Sequence, residues 1–410
     1  MTTNSLIAEI ISFLKQTLII MIPYRFYLSL VFILLGLLSC TTKQSEIDRY
    51  ELINRHNVTI NGYDSLNSLS IGNGNFTFTT GVTGLQTFYE AYENGVPLGT
   101  QSNWGWHAYP NTKNFKRSEC FRYHEFQRRK VPYLAGQSDT ERQAEATRYF
   151  RANPHRLHLG MIGLVLKKKD GSRVRIKDIK DATHHLNIWK GKITSEFEIE
   201  GQQVKVEVFC HQKKDMISAR IESPLITNDQ LSVRWKFPYA ATDYKMHNGY
   251  DFSKQEAHRS IVENTTEKSV LISRQLDSTR YFTRVEWQTP GEWIKKDEHH
   301  FQLIPKGKNQ VLEFSCLFSP EKSNAELPDF EQTQSNNISA WREFWNIGGA
   351  VDFSDCTDPR AKELERRTVL SQYLTKIQCA GNLPPAETGL TYNSWYGKFH
   401  LEMHWWHGAH

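Results

Sequence analysis

With 410 residues, 39% apolar and 23% charged, the chain has the length for one large or two medium globular domains and carries no fibrous or disordered signature. Fifty basic residues against 45 acidic ones leave a formal charge of +5. The basic clusters Arg128, Arg129, Lys130 and Lys167, Lys168, Lys169 are short and do not extend into a stripe, which excludes nucleic acid as the expected partner.

Near the N-terminus, Arg25 precedes an apolar run from Phe26 to Leu38 that is too short to span a bilayer comfortably and is followed at once by Ser39 and Cys40. The arrangement resembles a bacterial lipoprotein signal with Leu37-Leu38-Ser39-Cys40 as its lipobox, and Met21 would then be the start. It implies cleavage before Cys40, lipid on that cysteine and a membrane-anchored position outside the cytoplasm. An uncleaved anchor is the alternative. Segment 1–40 is assigned to this address. The other cysteines, Cys120, Cys210, Cys316, Cys356 and Cys379, have no close pair, so neither a metal framework nor a disulfide scaffold is expected.

From 41 to 320 the pattern is β. Ile193 to Glu200, Val204 to Cys210 and Met216 to Glu222 alternate apolar and polar residues around turns such as Gly201-Gln202-Gln203, an antiparallel meander. Leu231 to Phe237, Ser269 to Leu276, Arg280 to Gln288, Phe301 to Ile304 and Val311 to Phe318 continue it. So many strands without βαβ interludes predict a large sandwich. Arg142 to Arg156 is a weaker, possible helix. Segment 321–352 turns polar and reads as a linker with one short helix, capped near Asn336 or Asn337 and carrying Trp341, Phe344 and Trp345. In 353–410, Asp358 and Pro359 predict a helix start. Leu364, Leu370, Tyr373, Leu374 and Ile377 then recur at helical spacing.

The last eighteen residues hold Trp395, Trp405, Trp406, four histidines and Glu402. Chain termini are normally polar and mobile, so this cluster leads us to expect a longer protein of which these residues are the front half. His400 and His404 would share a helix face, but the order is His-Leu-Glu-Met-His. Glu402 would lie about 200° around the helix from either histidine, so the zincin arrangement fails and no metal is assigned.

Two further stretches complete the pattern: the turn Gly72-Asn73-Gly74 with Gly81 to Phe88 behind it, and Asn103-Trp104-Gly105-Trp106-His107. Together with Gly397 to His404 they resemble the bacterial six-hairpin glycosidases, relatives of inverting disaccharide phosphorylases and α-glucosidases. The resemblance runs from about Asn67 to His410. It implies a mainly β N-terminal supersandwich, a linker helix and the first helical hairpin of an incomplete (α/α)6 barrel. In the phosphorylase branch a Gly-His-x-Phe-Trp-Asp-Thr-Glu motif holds the reacting sugar. Here Glu402 stands for its Asp, Leu401 for its Trp and His404 for its Glu, departures that favour a hydrolase. The implied substrate contacts are Glu402, Trp405, Trp406, His404, Trp395, Trp104 and Trp106, with an oligosaccharide or glycan as partner and no cofactor. The resemblance implies an inverting acid/base mechanism whose catalytic acid comes from beyond His410, leaving these residues inactive by themselves. A non-catalytic glycan-binding sandwich is the rival reading.

Overall fold

Alternating burial builds the largest sheet. In Lys192–Ile199, Ile193, Ser195, Phe197 and Ile199 are buried while Lys192, Thr194, Glu196 and Glu198 face outward. The antiparallel register sets Ile193, Ser195 and Phe197 opposite Val208, Val206 and Val204 of Gln202–Cys210, giving one continuous apolar row. The computed structural model describes residues 47–134, 138–242 and 249–408, and the side chains of His404, His407 and Gly408 lie outside that description. The expected lipobox and Cys40 also lie outside the described residues. Arg49–His410 form one compact unit.

The sheet has nine antiparallel strands, in the order Val58–Asn61, Lys180–Asn187, Lys192–Ile199, Gln202–Cys210, Met216–Glu222, Val311–Ser319, Thr279–Trp287, Ser269–Leu276 and His258–Thr265. Two smaller sheets lie against its inner face. One contains Gly291–Asp297, His300–Pro305, Leu231–Lys236 and Met161–Leu166, and the other Leu69–Gly72, Phe76–Thr80 and Thr100–Ser102. Their contacts are aromatic. Trp235 meets Phe314 edge-on at 5.2 Å, Trp293 stacks on Trp287 at 5.9 Å and Phe76 stacks on Phe318 at 6.0 Å. The expected sandwich is therefore present.

The outer face of the large sheet is covered by the helix Phe330–Asn346. Asp329 accepts the Gln332 amide and Gln332 answers to the Asp329 amide, a reciprocal cap that starts the helix seven residues before Asn336. The cap expected at Asn336 or Asn337 is thus corrected. Asn337 is buried in mid-helix, donating to the Lys190 carbonyl at 2.6 Å and accepting from Gln212 at 2.9 Å. Phe330 meets Phe209 at 5.5 Å, and Trp341 and Trp345 are buried against the turn that ends at Gly191. Gly191 has φ +54, and a Cβ there would come 1.9 Å from Trp341 Nε1, so this turn needs glycine for space and backbone alike.

The next helix, Ala361–Gln378, begins two residues after Pro359 and buries Ala361, Glu365, Val369, Tyr373 and Ile377 at four-residue spacing. This stripe replaces the expected one in part. Leu364 and Leu374 point to solvent because Glu365 and Val369 take the inner positions. Glu365 can be buried because Arg55 donates to it twice at 2.8 Å, His56 sits at 2.6 Å and the Phe353 amide donates at 2.6 Å. Tyr373 stacks on Trp341 at 4.8 Å, fastening the helix to the sandwich through Phe330–Asn346.

Candidate functional site

The Gly72-Asn73-Gly74 turn receives the C-terminal end of Ala361–Gln378. The Gly74 amide donates to the Ile377 carbonyl at 3.0 Å and the Thr77 hydroxyl donates to the same oxygen at 3.2 Å, satisfying a carbonyl that the last helical turn leaves free. The approach is too close for a side chain. A Cβ on Gly72 would meet that carbonyl oxygen at 2.5 Å, and one on Gly74 would meet Ala380 at 2.8 Å. Asn73 shapes the turn by accepting the Asn75 and Phe76 amides, and it fastens the turn to the large sheet by donating to the carbonyls of His211 and Lys214. Asn75 Oδ1 accepts from the Asn382 amide and from Asn103, so the turn also holds the loop that leaves the helix.

Beside this joint lie Trp104 and Trp106, both half-buried. The Trp104 indole donates to Asp215 Oδ2 at 2.7 Å, and the Ser102 hydroxyl donates to the same oxygen at 2.5 Å. Burial raises the Asp215 carboxyl above its usual range, and the hydrogen bonds from Ser102, Trp104 and Asn73 offset only part of the rise. Asp215 thus positions Trp104. Trp106 donates to the Asn103 carbonyl at 2.9 Å while the Arg156 guanidinium lies 4.0 Å over its ring, a desolvated cation–π contact worth about 2 kcal/mol. Burial pushes the Arg156 guanidinium down to about 9.

Arg156 joins this wall to the C-terminal segment. Its guanidinium donates to the Ser102 carbonyl at 2.6 Å and to the Gly397 carbonyl at 3.4 Å, and a Cβ on Gly397 would come 2.3 Å from Arg156 Cβ. The turn Trp395–Gly397 is therefore seated on the strand His155–Arg156, which pairs with Trp106–His107. Trp395 and Tyr396 both have positive φ, +48 and +62, a strained pair that aims two aromatic side chains from one turn. Trp395 also meets the His400 ring at 5.4 Å, and His400 Nδ1 lies 3.0 Å from Glu387.

Arg156 thus brings the turn that carries Trp395 to the strand of Trp106, while the Trp395 ring itself is exposed beside His400. Glu402, Trp405 and Trp406 lie on the helix Leu401–Gly408 and are exposed, Trp405 by 68% and Trp406 by 64%. The acid expected to be buried among aromatics is therefore in solvent, and Glu402 makes no hydrogen bond or ion pair with the junction among the described residues. Trp406 borders a groove of about 360 Å³ with Leu370, Leu374, Gln378 and Thr388. Sequence reasoning missed Arg156 and Asp215 and read Asn73 only as part of the glycine turn. Arg156 and Asp215 meet their partners across 54 to 241 residues and leave no local motif, whereas Asn73 lies inside the glycine turn.

No protein-family model matches the chain, and no curated protein is similar to it in sequence. Among solved structures it is similar to a putative kojibiose phosphorylase from human microbiome, at 9% identity and TM-score 0.45, over 86% of this chain and 45% of that one. It is also similar to a bacterial glucoamylase complexed with acarbose, at 10% identity and TM-score 0.37, over 60% and 40%. A third is a family GH92 α-mannosidase from Bacteroides thetaiotaomicron in complex with mannoimidazole, at 8% identity and TM-score 0.32, over 81% and 40%. The chain spans less than half the length of each. At these values the functional reading rests on the residues themselves.

Proposed function

We propose that the chain is a carbohydrate-active protein of the glycoside hydrolase type, with the aromatic junction and the helix Leu401–Gly408 forming part of its sugar-binding wall. The observation that carries this reading is Arg156, which lies over the Trp106 ring and donates to the Gly397 carbonyl, so that the turn bearing Trp395 sits by the Trp104–Trp106 loop near the joint where Ala361–Gln378 docks on Gly72-Asn73-Gly74. Half-buried indoles whose N–H groups are satisfied internally offer apolar ring faces that suit the C–H faces of a pyranose. Glu402, in the position where the resembled motif carries its sugar-holding acid, is the group for accepting sugar hydroxyl hydrogen bonds.

In this reading the exposed side of Ala361–Gln378, with Leu364, Leu374 and the groove beside Trp406, is covered by further helices of an (α/α)6 barrel. The mechanism that goes with such a barrel is inverting. A protonated carboxylic acid delivers a proton to the leaving oxygen while a second carboxylate, about 6.5–9.5 Å away, activates water. Neither carboxylate is assigned to a residue of this chain, and binding without turnover is the expectation that goes with this reading. Attachment to a membrane through lipid on Cys40 belongs to the same proposal, and a Cys40→Ala variant is expected to lose lipid labelling.

Calorimetric titration with a panel of α-linked gluco- and manno-oligosaccharides, with reducing-sugar release measured in parallel, tests this function. The expected result is saturable binding without release, weakened about tenfold in Glu402→Gln, a change that keeps shape and removes charge. Wild-type affinity in Glu402→Gln would remove that assignment, and hydrolysis by this chain alone would place the catalytic pair within it.

A further inference from the structure

The chain's excess positive charge is concentrated in one excursion from the sandwich. From Lys113 to Arg156 there are eleven lysines and arginines against five acids, a net +6 where the whole chain carries +5. The segment leaves after Trp106–His107 and returns at His155–Arg156, and those two strands pair, so it departs and rejoins at one point. Four of its five acids are engaged, Glu119 with Arg142, Asp139 with Arg122, Glu141 with Arg148 and Glu145 with Lys113. Arg128, Arg129 and Lys130 make no ion pair among the described residues, although three adjacent cations repel one another and gain from a partner of opposite charge.

These cations sit at and beside the tip of the hairpin Phe121–Phe126 and Arg129–Leu134, a two-stranded sheet that pairs with no other strand among the described residues. Its register puts His124 and Phe126 on the same face as Arg129 and Tyr133. The three rings touch one another, His124 to Tyr133 at 5.6 Å, Phe126 to Tyr133 at 6.1 Å and His124 to Phe126 at 6.3 Å, and form a ring platform in solvent. Phe126 is 50% exposed and Tyr133 53%, which is unusual for adjacent large rings that serve no interface. The turn itself is built from Gln127 and Arg128 at φ +48 and +68, where glycine or asparagine is the stable choice. A strained turn that keeps an arginine at its apex fits a functional tip better than a structural one.

We propose that this hairpin binds an anionic polysaccharide, its ring platform stacking sugar faces while Arg128 at the apex and Arg129 on the ring face pair with carboxylate or sulfate groups, and Lys130, across from Glu125 on the other face, adds to the positive field. The inference rests on the carbohydrate reading and narrows its substrate class. Arginine suits such groups because its planar fork can hold both oxygens of a carboxylate. A membrane surface fits less well. The apex carries only Gln127 and Arg128, and the three-ring platform lies behind it on one face with Tyr123 and Leu134 exposed on the other, so a rod-like polymer can rest along the platform but a bilayer is not entered first by apolar groups. The base of the excursion is fixed to the candidate site, with Lys398 donating to the Arg151 carbonyl at 2.7 Å and Arg156 reaching Gly397. A chain held on the hairpin is thus anchored to the same segment that carries Trp395.

The test is calorimetric titration of the full chain with polygalacturonate and with neutral dextran, each variant first checked for wild-type circular dichroism. Polygalacturonate is expected to bind, and both Phe126→Ala/Tyr133→Ala and Arg128→Ala/Arg129→Ala/Lys130→Ala are expected to weaken it at least about tenfold. Undiminished binding by the ring variant would reduce the hairpin to plain charge attraction and overturn the proposal. Tighter retention on phosphatidylglycerol vesicles or on oligothymidylate than on polygalacturonate would overturn it as well. So would a dimer that Phe126→Ala/Tyr133→Ala dissolves, since the face would then belong to a second copy. A chain that takes up the neutral oligosaccharide panel but ignores polygalacturonate would contradict this inference and leave the broader carbohydrate reading standing, whereas one that takes up neither would contradict both.

Discussion

The large sheet and the helical segment after Ala361 use apolar residues in opposite ways. In the sheet, rows such as Ile193, Phe197, Val204 and Val208 are fully buried, and the layers close on Trp235, Trp287 and Phe314. In the helix Ala361–Gln378 one stripe, Ala361, Glu365, Val369, Tyr373 and Ile377, is buried, while Leu364 and Leu374, and further on Leu401, Trp405 and Trp406, face solvent. The difference teaches where stability and function separate. The sandwich holds itself together by area removed from water. The helical segment is held by a few fasteners, the Trp341–Tyr373 stack, the Glu365 cluster and the glycine turn, and leaves much of its remaining surface exposed.

Breaking a fastener is expected to have the largest effect. Trp341→Ala removes the buried ring between the sandwich, Tyr373 and Trp345 and is expected to cost about 3–5 kcal/mol in urea unfolding, with loss of the helical segment before the sheet. A loss below about 1 kcal/mol would mean that the stack does not join the two regions. Glu365→Gln leaves the Arg55 charge without its main partner and is expected to cost about 2–4 kcal/mol.

The same cluster sets a pH response. Burial would raise the Glu365 carboxyl, but hydrogen bonds from Arg55, the Phe353 amide and His56 outweigh it and bring the value from 4.5 down to about 2. A depressed folded-state value means that the contribution is fully present above the unfolded value and is lost as pH falls from about 4.5 to about 2. Stability measured through that window should fall in the wild type and fall less steeply in Glu365→Gln. Parallel curves would show that another group carries the acid sensitivity.

Gly74→Ala tests the joint itself. Its φ of +93 and the 2.8 Å approach to Ala380 predict a cost of about 1–3 kcal/mol. Leu374→Lys, on the open side of Ala361–Gln378, is expected to change stability by no more than about 0.5 kcal/mol while raising solubility. A large loss there would mean that the exposed side is packed in solution.

How much of this was legible follows the same division. Lys192–Ile199 and Gln202–Cys210 were read to within two residues because buried and wetter positions alternate along them, the condition under which a period of two appears. Met161–Leu166 was missed because almost all of it is buried, so its apolar run has no period. The hairpin Phe121–Leu134 was missed for the opposite reason: it buries almost nothing. At the site, tryptophan content and the glycine turn pointed to Trp104, Trp106 and Trp395. Arg156 and Asp215 were invisible, since burial and long-range partners define them.

Amide hydrogen exchange read by mass spectrometry, with and without a bound oligosaccharide, tests the account most directly. In the free protein, slow exchange is expected in Ala361–Gln378 and in the strands flanking Gly74, and fast exchange in Leu401–Gly408. Sugar should slow Trp104–His107 and Trp395–Gly408 together, leaving the central strands of the large sheet unchanged. Protection of neither segment by any sugar that binds, or protection of one without the other, would contradict a shared sugar-binding wall at the junction.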